Sequence, residues 1–254
     1  MVASPGSGDR AAGIVHQGAA GMAQRFLRIW HHPLMASELD NSWQEIELPG
    51  GALQLWPGFL RPAEASALQQ ELAAGLAWQV DRVRLFGREH PIPRQHQWYG
   101  DEETSYRWSG LEMQPLPWTP ELAALRDRLQ MMTRVGFNSV LANLYRDGQD
   151  SMGWHADDEP ELGRQPVIAS ISLGAERDLL LRRKTGRARG ERSVKLRLPH
   201  GSLLLMSGDT QHNWQHALPR RARLNEPRIN LTFRRIQAAT SKPAVSIAAA
   251  SSPA

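Results

Sequence analysis

Beyond Gly136 the chain abandons helical spacing and breaks into short runs of alternating or apolar residues, and no other feature limits its fold so tightly. The runs are SVLANLY (139–145), VIASISL (167–173), RDLLLRR (177–183), SVKLRL (193–198), GSLLLMS (201–207), NWQHAL (213–218) and RINLTFRRI (228–236). RDGQD, LPHG and SGDT punctuate them with the Gly, Asp, Pro and Ser that reversing backbone favours. Strands this short and closely spaced bury their apolar sides by pairing two sheets face to face, as a β-sandwich or jelly roll.

Two helices precede the strands. RPAEASALQQELAAGLAW (61–78) places Pro62 in its first turn and Glu64 against the helix dipole, and repeats Ala65, Leu68, Leu72 and Leu76 on one face. TPELAALRDRLQMMTRVG (119–136) has Thr119 as cap, Pro120 at its first position and Gly136 as its stop. The expected class is therefore α+β, mainly β, with the helices packed on one sheet. Residues 1–45 are expected to be a loosely ordered extension, 46–237 the domain and 238–254 a disordered small-residue tail. Within the domain, 82–118 reads as a loop-rich segment and 137–237 as the strand core.

Composition narrows the chemistry. There is no cysteine, which excludes disulfides, thiolate metal sites and cysteine nucleophiles and makes the cytoplasm the expected compartment. No apolar run is long enough for a membrane span, and no secretory signal is visible. The chain is expected to act as a monomer away from membranes. Its net charge is +4, carried by arginine, since lysine occurs only at 184, 195 and 242.

Any metal must then be held by His, Asp or Glu. In GWHADDE, His155 and Asp157 stand two apart, so extended backbone would turn both to one face and let them share an ion. TQHNWQHALP offers His212 and His216 as a third ligand, and their spacing of four does not choose between them. Two histidines and a carboxylate with open positions suit a non-haem Fe(II) oxygenase or a zinc hydrolase equally. RINLTFRR then alternates Arg228, Asn230, Thr232 and Arg234 against Ile229, Leu231 and Phe233. Four inward polar groups call for a polar guest, and a dicarboxylate fits two arginines. Asn143 and Tyr145 in LANLY share that parity and add an amide and a phenol.

Taken in order, NLY, GWHADDE, SISLG, HGSLLLMSG, WQHALP and RINLTFR resemble the AlkB family of Fe(II)- and 2-oxoglutarate-dependent dioxygenases, over about residues 50–237. The resemblance implies a double-stranded β-helix, the jelly-roll form. It implies iron on His155, Asp157 and His216, whose WQHALP context fits the family where that of His212 does not. It also implies 2-oxoglutarate held by Asn143, Tyr145, Arg228, Asn230 and Arg234, with O2 as the second co-substrate. The activity it implies is oxidation of an N-methyl group on a base such as 1-methyladenine or 3-methylcytosine, with release of formaldehyde, succinate and CO2.

The segment RVRLFGREHPIPRQHQWYGDEETSYRWSG interleaves Arg82, Arg84, Arg88, Arg94 and Arg107 with aromatic rings, a composition suited to phosphates and bases. Its PRQ, YGD and Tyr-x-aromatic-Ser-Gly elements resemble the lid of the family's DNA-repair branch. Tyr106 or Trp108 would stack on a flipped base, Glu159 would face its ring edge, and Phe86 would wedge into the vacated stack. Trp98 and Tyr99 read as core instead. LRRKTGRARGERSVK (181–195) reads as a basic hairpin whose Arg182, Arg183 and Arg187 track a phosphate backbone. DNA is the expected partner. The alternatives are RNA or a protein side chain as substrate, or a non-catalytic nucleic-acid-binding jelly roll.

Overall fold

A computed structural model describes residues 43–85, 88–104, 106–108, 111–185 and 192–237, with residues 83–85, 88, 106–108 and 111–113 described by their backbone alone. Phe86, Arg187, residues 1–42 of the N-terminal extension and the C-terminal tail lie outside the described residues, as do the side chains of Tyr106 and Trp108.

The chain opens with strands β1 (Gln44–Ile46) and β2 (Ala52–Trp56), then helix α1 (Pro62–Gly75). Five short strands follow: β3 (Arg82–Leu85), β4 (Arg88–Pro91), β5 (Gln95–Gly100), β6 (Tyr106–Trp108) and β7 (Leu111–Met113). Helix α2 (Pro120–Thr133) leads into β8 (Ser139–Tyr145), β9 (Met152–His155), β10 (Ile168–Gly174) and β11 (Arg177–Arg183). The chain closes with β12 (Val194–Leu198), β13 (Ser202–Ser207), β14 (Trp214–Leu218) and β15 (Arg228–Arg234). A seven-stranded sheet in the order β1-β2-β13-β10-β15-β8-β5 faces a four-stranded sheet in the order β12-β11-β14-β9. The named pairings are antiparallel throughout, as a jelly roll requires. Among the described residues, no helix is long and apolar enough to cross a membrane.

The central strands of the large sheet have two buried faces, and their alternation divides them. Ile229, Leu231 and Phe233 of β15 meet Leu68, Leu72, Leu122, Leu125 and Leu129, which project from both helices onto the outer face. Leu53, Leu55, Leu204 and Met206 face the other way and pack against Leu179, Leu181, Leu196 and Leu198 of the small sheet. Arg128 of α2 ties the two helices together and to the turn after β2: its guanidinium donates to the Phe59 carbonyl at 2.7 Å and pairs with Glu64 of α1 at 3.3 Å. Both helices and all seven strands read from the sequence are present.

Three expectations needed correction. Residues 82–118 are not loop-rich: they hold β3–β7, in two hairpins and an edge strand, whose three-to-six-residue lengths leave no visible alternation. The second helix is stopped by Arg134, which takes the left-handed conformation (φ 60°) while its N–H still bonds Gln130 O, rather than by Gly136. The GWHADDE stretch is itself a strand up to His155, so Asp157 lies just past a strand end rather than within one.

One turn carries much of the connection between the sheets. Gly148 exchanges backbone hydrogen bonds with Arg221 and Leu224, and a Cβ there would run into the Arg221 carbonyl. Buried Arg177 secures the same junction, donating to the carbonyls of Asp147, Asp150 and Pro219. Gly148→Ala is expected to lower stability by about 1–3 kcal/mol through overpacking. Gly136→Ala, whose Cβ would meet open space, is expected to be neutral or slightly stabilising. Urea denaturation of the two variants checks the contrast.

Candidate metal and co-substrate centre

His155 ends β9 and His216 sits opposite it on β14, so cross-strand register brings two imidazoles together from positions 61 residues apart in sequence. Their ring centroids are 4.2 Å apart. Asp157 follows in the loop, and the ligand atoms of His155, Asp157 and His216 all lie within 4.8 Å of one another. His212, the other histidine considered, is exposed on the helical turn Thr210–Asn213 and belongs to no such group among the described residues.

The protonation states suit a cation. His155 Nδ1 lies 2.9 Å from the Gly153 carbonyl, which can only accept, so Nδ1 carries the proton and Nε2 is left as the ligand atom. Burial, reinforced by the neighbouring His155, pushes His216 down to about 3, so its ring is neutral at ordinary pH. Burial alone would raise the Asp157 carboxyl, but Arg234 and the two histidines outweigh it and hold the group below the usual carboxylate range. Asp157 Oδ1 accepts from Arg234 Nη2 at 2.6 Å, while Oδ2 is buried with no hydrogen-bond partner. An ionised oxygen, unpaired and buried beside two imidazole rings, matches the donor set of a divalent ion.

Next to this cluster is a narrow cavity of about 50 Å³ lined by Asn143, Tyr145, Ser170, Arg228, Asn230, Thr232 and Arg234. Pairing of β15 with β8 sets Arg228 opposite Tyr145 and Asn230 opposite Asn143, as the shared parity requires. All five residues expected around the co-substrate are therefore brought together. Their hydrogen bonds divide them. Arg228 is buried at the end away from the metal cluster, with Nη2 on Ser172 Oγ at 2.9 Å and its guanidinium 5.4 Å from the Tyr145 ring centre. Arg234 is at the other end, on Asp157. Asn230 donates to Ser170 Oγ and the Ile171 carbonyl and accepts from Thr232, so the wall itself takes up most of its capacity.

A wider cavity, about 210 Å³, also meets His155 and Asp157 and shares Leu141, Met152 and Arg234 with the narrow one. Trp98, Leu141, Met152, Leu162 and Ile236 give it apolar walls, and Arg94, His96 and Glu159 contribute polar edges. Glu159 Oε2 is buried there without a hydrogen-bond partner. Trp98 and Tyr99 are buried as expected, Trp98 doubling as cavity wall. Arg94 differs from its expected role as a phosphate contact: it turns inward and donates from Nε to Asn143 Oδ1 at 2.9 Å. Arg182 and Arg183 are held over the rings of Trp154 and Trp214, at 4.2 and 5.4 Å. Sequence reasoning missed Gln211, which is fully buried and accepts from the Asp157 backbone N–H at 2.9 Å. A lone Gln in a polar turn carries no signal of such a role.

The sequence model of the 2OG-Fe(II) oxygenase superfamily matches residues 52–234. Bovine DNA oxidative demethylase ALKBH2 is 43% identical over 196 residues, covering 74% of this chain and 70% of that protein. Human alpha-ketoglutarate-dependent dioxygenase alkB homolog 3 is 42% identical over 188 residues, covering 72% of this chain and 65% of its own length. The solved structure of OsALKBH1 superposes with a TM-score of 0.51 at 20% identity, over 74% of this chain and 99% of that one, a likeness of fold.

Proposed function

We propose that this chain, which belongs to the AlkB family within the 2OG-Fe(II) oxygenase superfamily, removes N-linked alkyl groups from DNA bases by oxidation. The observation that carries the reading is the wide cavity, which meets the His155–Asp157–His216 cluster at one wall and sets an unpartnered Glu159 carboxylate oxygen into another. A base alkylated on a ring nitrogen is cationic and flat. Apolar walls accept its faces, and a buried carboxylate rewards its charge.

His155, Asp157 and His216 would hold ferrous iron, and Arg228, Tyr145 and Asn143 would hold 2-oxoglutarate. When bound, these would supply, together with O2, the oxidant that hydroxylates the N-alkyl carbon, one oxygen atom entering the substrate and the other the succinate that forms as 2-oxoglutarate loses CO2. The hydroxylated carbon then leaves the base nitrogen as an aldehyde. The rest is positioning by the chain. Gly153 fixes the His155 tautomer, Gln211 holds the Asp157 backbone, and Arg234 takes one carboxylate oxygen so that the other faces the ion. Arg228 is six residues from Arg234 along β15, so it meets the distal carboxylate, and Arg234 remains at the keto-acid end. Arg94 orients Asn143 and joins the base cavity to the co-substrate cavity.

Formaldehyde release from N-methylated DNA, dependent on Fe(II) and 2-oxoglutarate, tests the reading, with methylated RNA and a methylated peptide as parallel substrates. Turnover on RNA or peptide alone would replace DNA as the substrate. Glu159→Gln keeps the shape and removes the charge. Its kcat/KM for a cationic methylated base is expected to fall by about tenfold, the size of one lost charge contact.

A further inference from the structure

Alternation along β5 turns Arg94, just ahead of the strand, His96 and Trp98 to the wide cavity. Trp98 forms apolar wall, and Arg94 is engaged by Asn143. His96 is left over. It is 5% exposed, it is not one of the metal ligands, and it does not line the co-substrate cavity. Its backbone exchanges two hydrogen bonds with Gln79, at 2.9 and 3.0 Å, and this bridge brings in Asp81, two residues further on. Asp81 Oδ2 lies 3.0 Å from His96 Nε2, off the line of an ideal hydrogen bond, so the contact does not lock the ring in one tautomer. The ring's other nitrogen is then available to the cavity.

The pair is graded in exposure: the His96 side chain is 6% exposed and that of Asp81 34%. It therefore reaches from the cavity wall to water. Burial disfavours a charged imidazole, and here it holds His96 below the usual imidazole range. Asp81 opposes that shift and Arg94 adds to it. Among the described residues, the other charged or titratable groups on this cavity are Glu159 from the loop after Asp157, Arg234 from β15, and the metal ligands His155 and Asp157. At neutral pH the ring is thus an unprotonated base beside the space for a cationic substrate.

Oxidative demethylation leaves a proton behind. When the hydroxylated carbon departs from a cationic base, its O–H bond breaks and that electron pair becomes the second C–O bond of the aldehyde. The C–N pair stays on the ring nitrogen and cancels its charge. One proton must go to an acceptor, and no electron is exchanged. We propose that His96 takes this proton at its cavity-side nitrogen and that Asp81 passes a proton from the other nitrogen to solvent. The proposal rests on the reading of the chain as a DNA demethylase and adds a catalytic base to its release step. Timing favours the transfer: an imidazolium is repelled by a cationic base but not by the neutral base that release leaves. Glu159, by contrast, is the counter-charge of the substrate, and a proton left on it would cancel the charge that draws in the next base.

The test follows two products in single turnovers of N-methylated DNA by the full chain: succinate, which reports oxidation, and formaldehyde, which reports release. In the wild type the two should appear together. In His96→Gln and in Asp81→Asn, formaldehyde should trail succinate, with release at least about tenfold slower and the hydroxymethylated base detectable by mass spectrometry after a rapid quench. A lost proton acceptor also predicts that the lag shortens as pH or imidazole buffer concentration rises, which a change of shape alone would not produce. Succinate and formaldehyde in step in both variants would overturn the exit and leave the demethylase reading standing. A lag in Glu159→Gln but in neither variant of the pair would give the proton to Glu159 and overturn the exit as well. A wild type that forms no succinate with any methylated nucleic acid would sink the demethylase reading, and the exit with it. Should His96→Gln fail to fold, Asp81→Asn, at a side chain 34% exposed, carries the test alone.

Discussion

Arg228→Met is expected to weaken 2-oxoglutarate binding by at least about 100-fold while leaving the free protein as stable as before or more so. Arg228 is 2% exposed, and its Nε has no hydrogen-bond partner. Burial, with Arg177 adding to it, pulls the guanidinium down to about 10. Among the described residues no carboxylate forms an ion pair with it. The free protein therefore bears the cost of a buried cation whose counter-charge is to come from a ligand. Methionine fills similar space without that cost, and loses the bidentate fork that a carboxylate would grip. Anaerobic melting with ferrous iron reads both effects. At a ligand concentration about 100 times Kd, 2-oxoglutarate should stabilise the wild type by about 2.7 kcal/mol, or roughly 5–10 °C, and the variant by almost nothing. An equal shift in both would mean that Arg228 is not the anchor.

How far the sequence could be read depended on how local each signal was. The alternation in RINLTFRR was visible because both faces of β15 are buried and their polar and apolar sets never mix. The same logic recovered Asn143 and Tyr145 on β8. Strand β9 was missed because a bulge brings Met152 and His155, three positions apart, to the same cavity, so no alternation shows, and β1 because three residues make no pattern. The end of α2 was misplaced because an arginine occupies the left-handed conformation that glycine usually takes. Contacts between distant segments left no trace in the sequence. Arg234 meets Asp157 across 77 positions, Gln211 reaches the same residue across 54, and Arg94 turns inward to Asn143 across 49. Each is an ordinary polar residue whose role is set only once β15, β14 and β5 have been laid around the cluster.

The Arg234–Asp157 contact allows loss of the metal to be separated from loss of the fold. Asp157→Ala should reduce turnover by at least about a thousandfold, since it removes the anionic member of a three-residue donor set. It also strips a counter-charge from Arg234, whose side chain is only 18% exposed, and breaking such a pair on one side costs about 3–5 kcal/mol. An inactive Asp157→Ala protein would therefore be ambiguous by itself. Adding Arg234→Met removes the orphaned cation, so the double variant should recover most of the stability in urea denaturation. It should nonetheless remain inactive and bind iron weakly, because Oδ2, the carboxylate oxygen left buried without a hydrogen-bond partner, is still missing. Recovery of turnover along with stability would show that Asp157 serves only to neutralise Arg234, and would remove it from the metal centre.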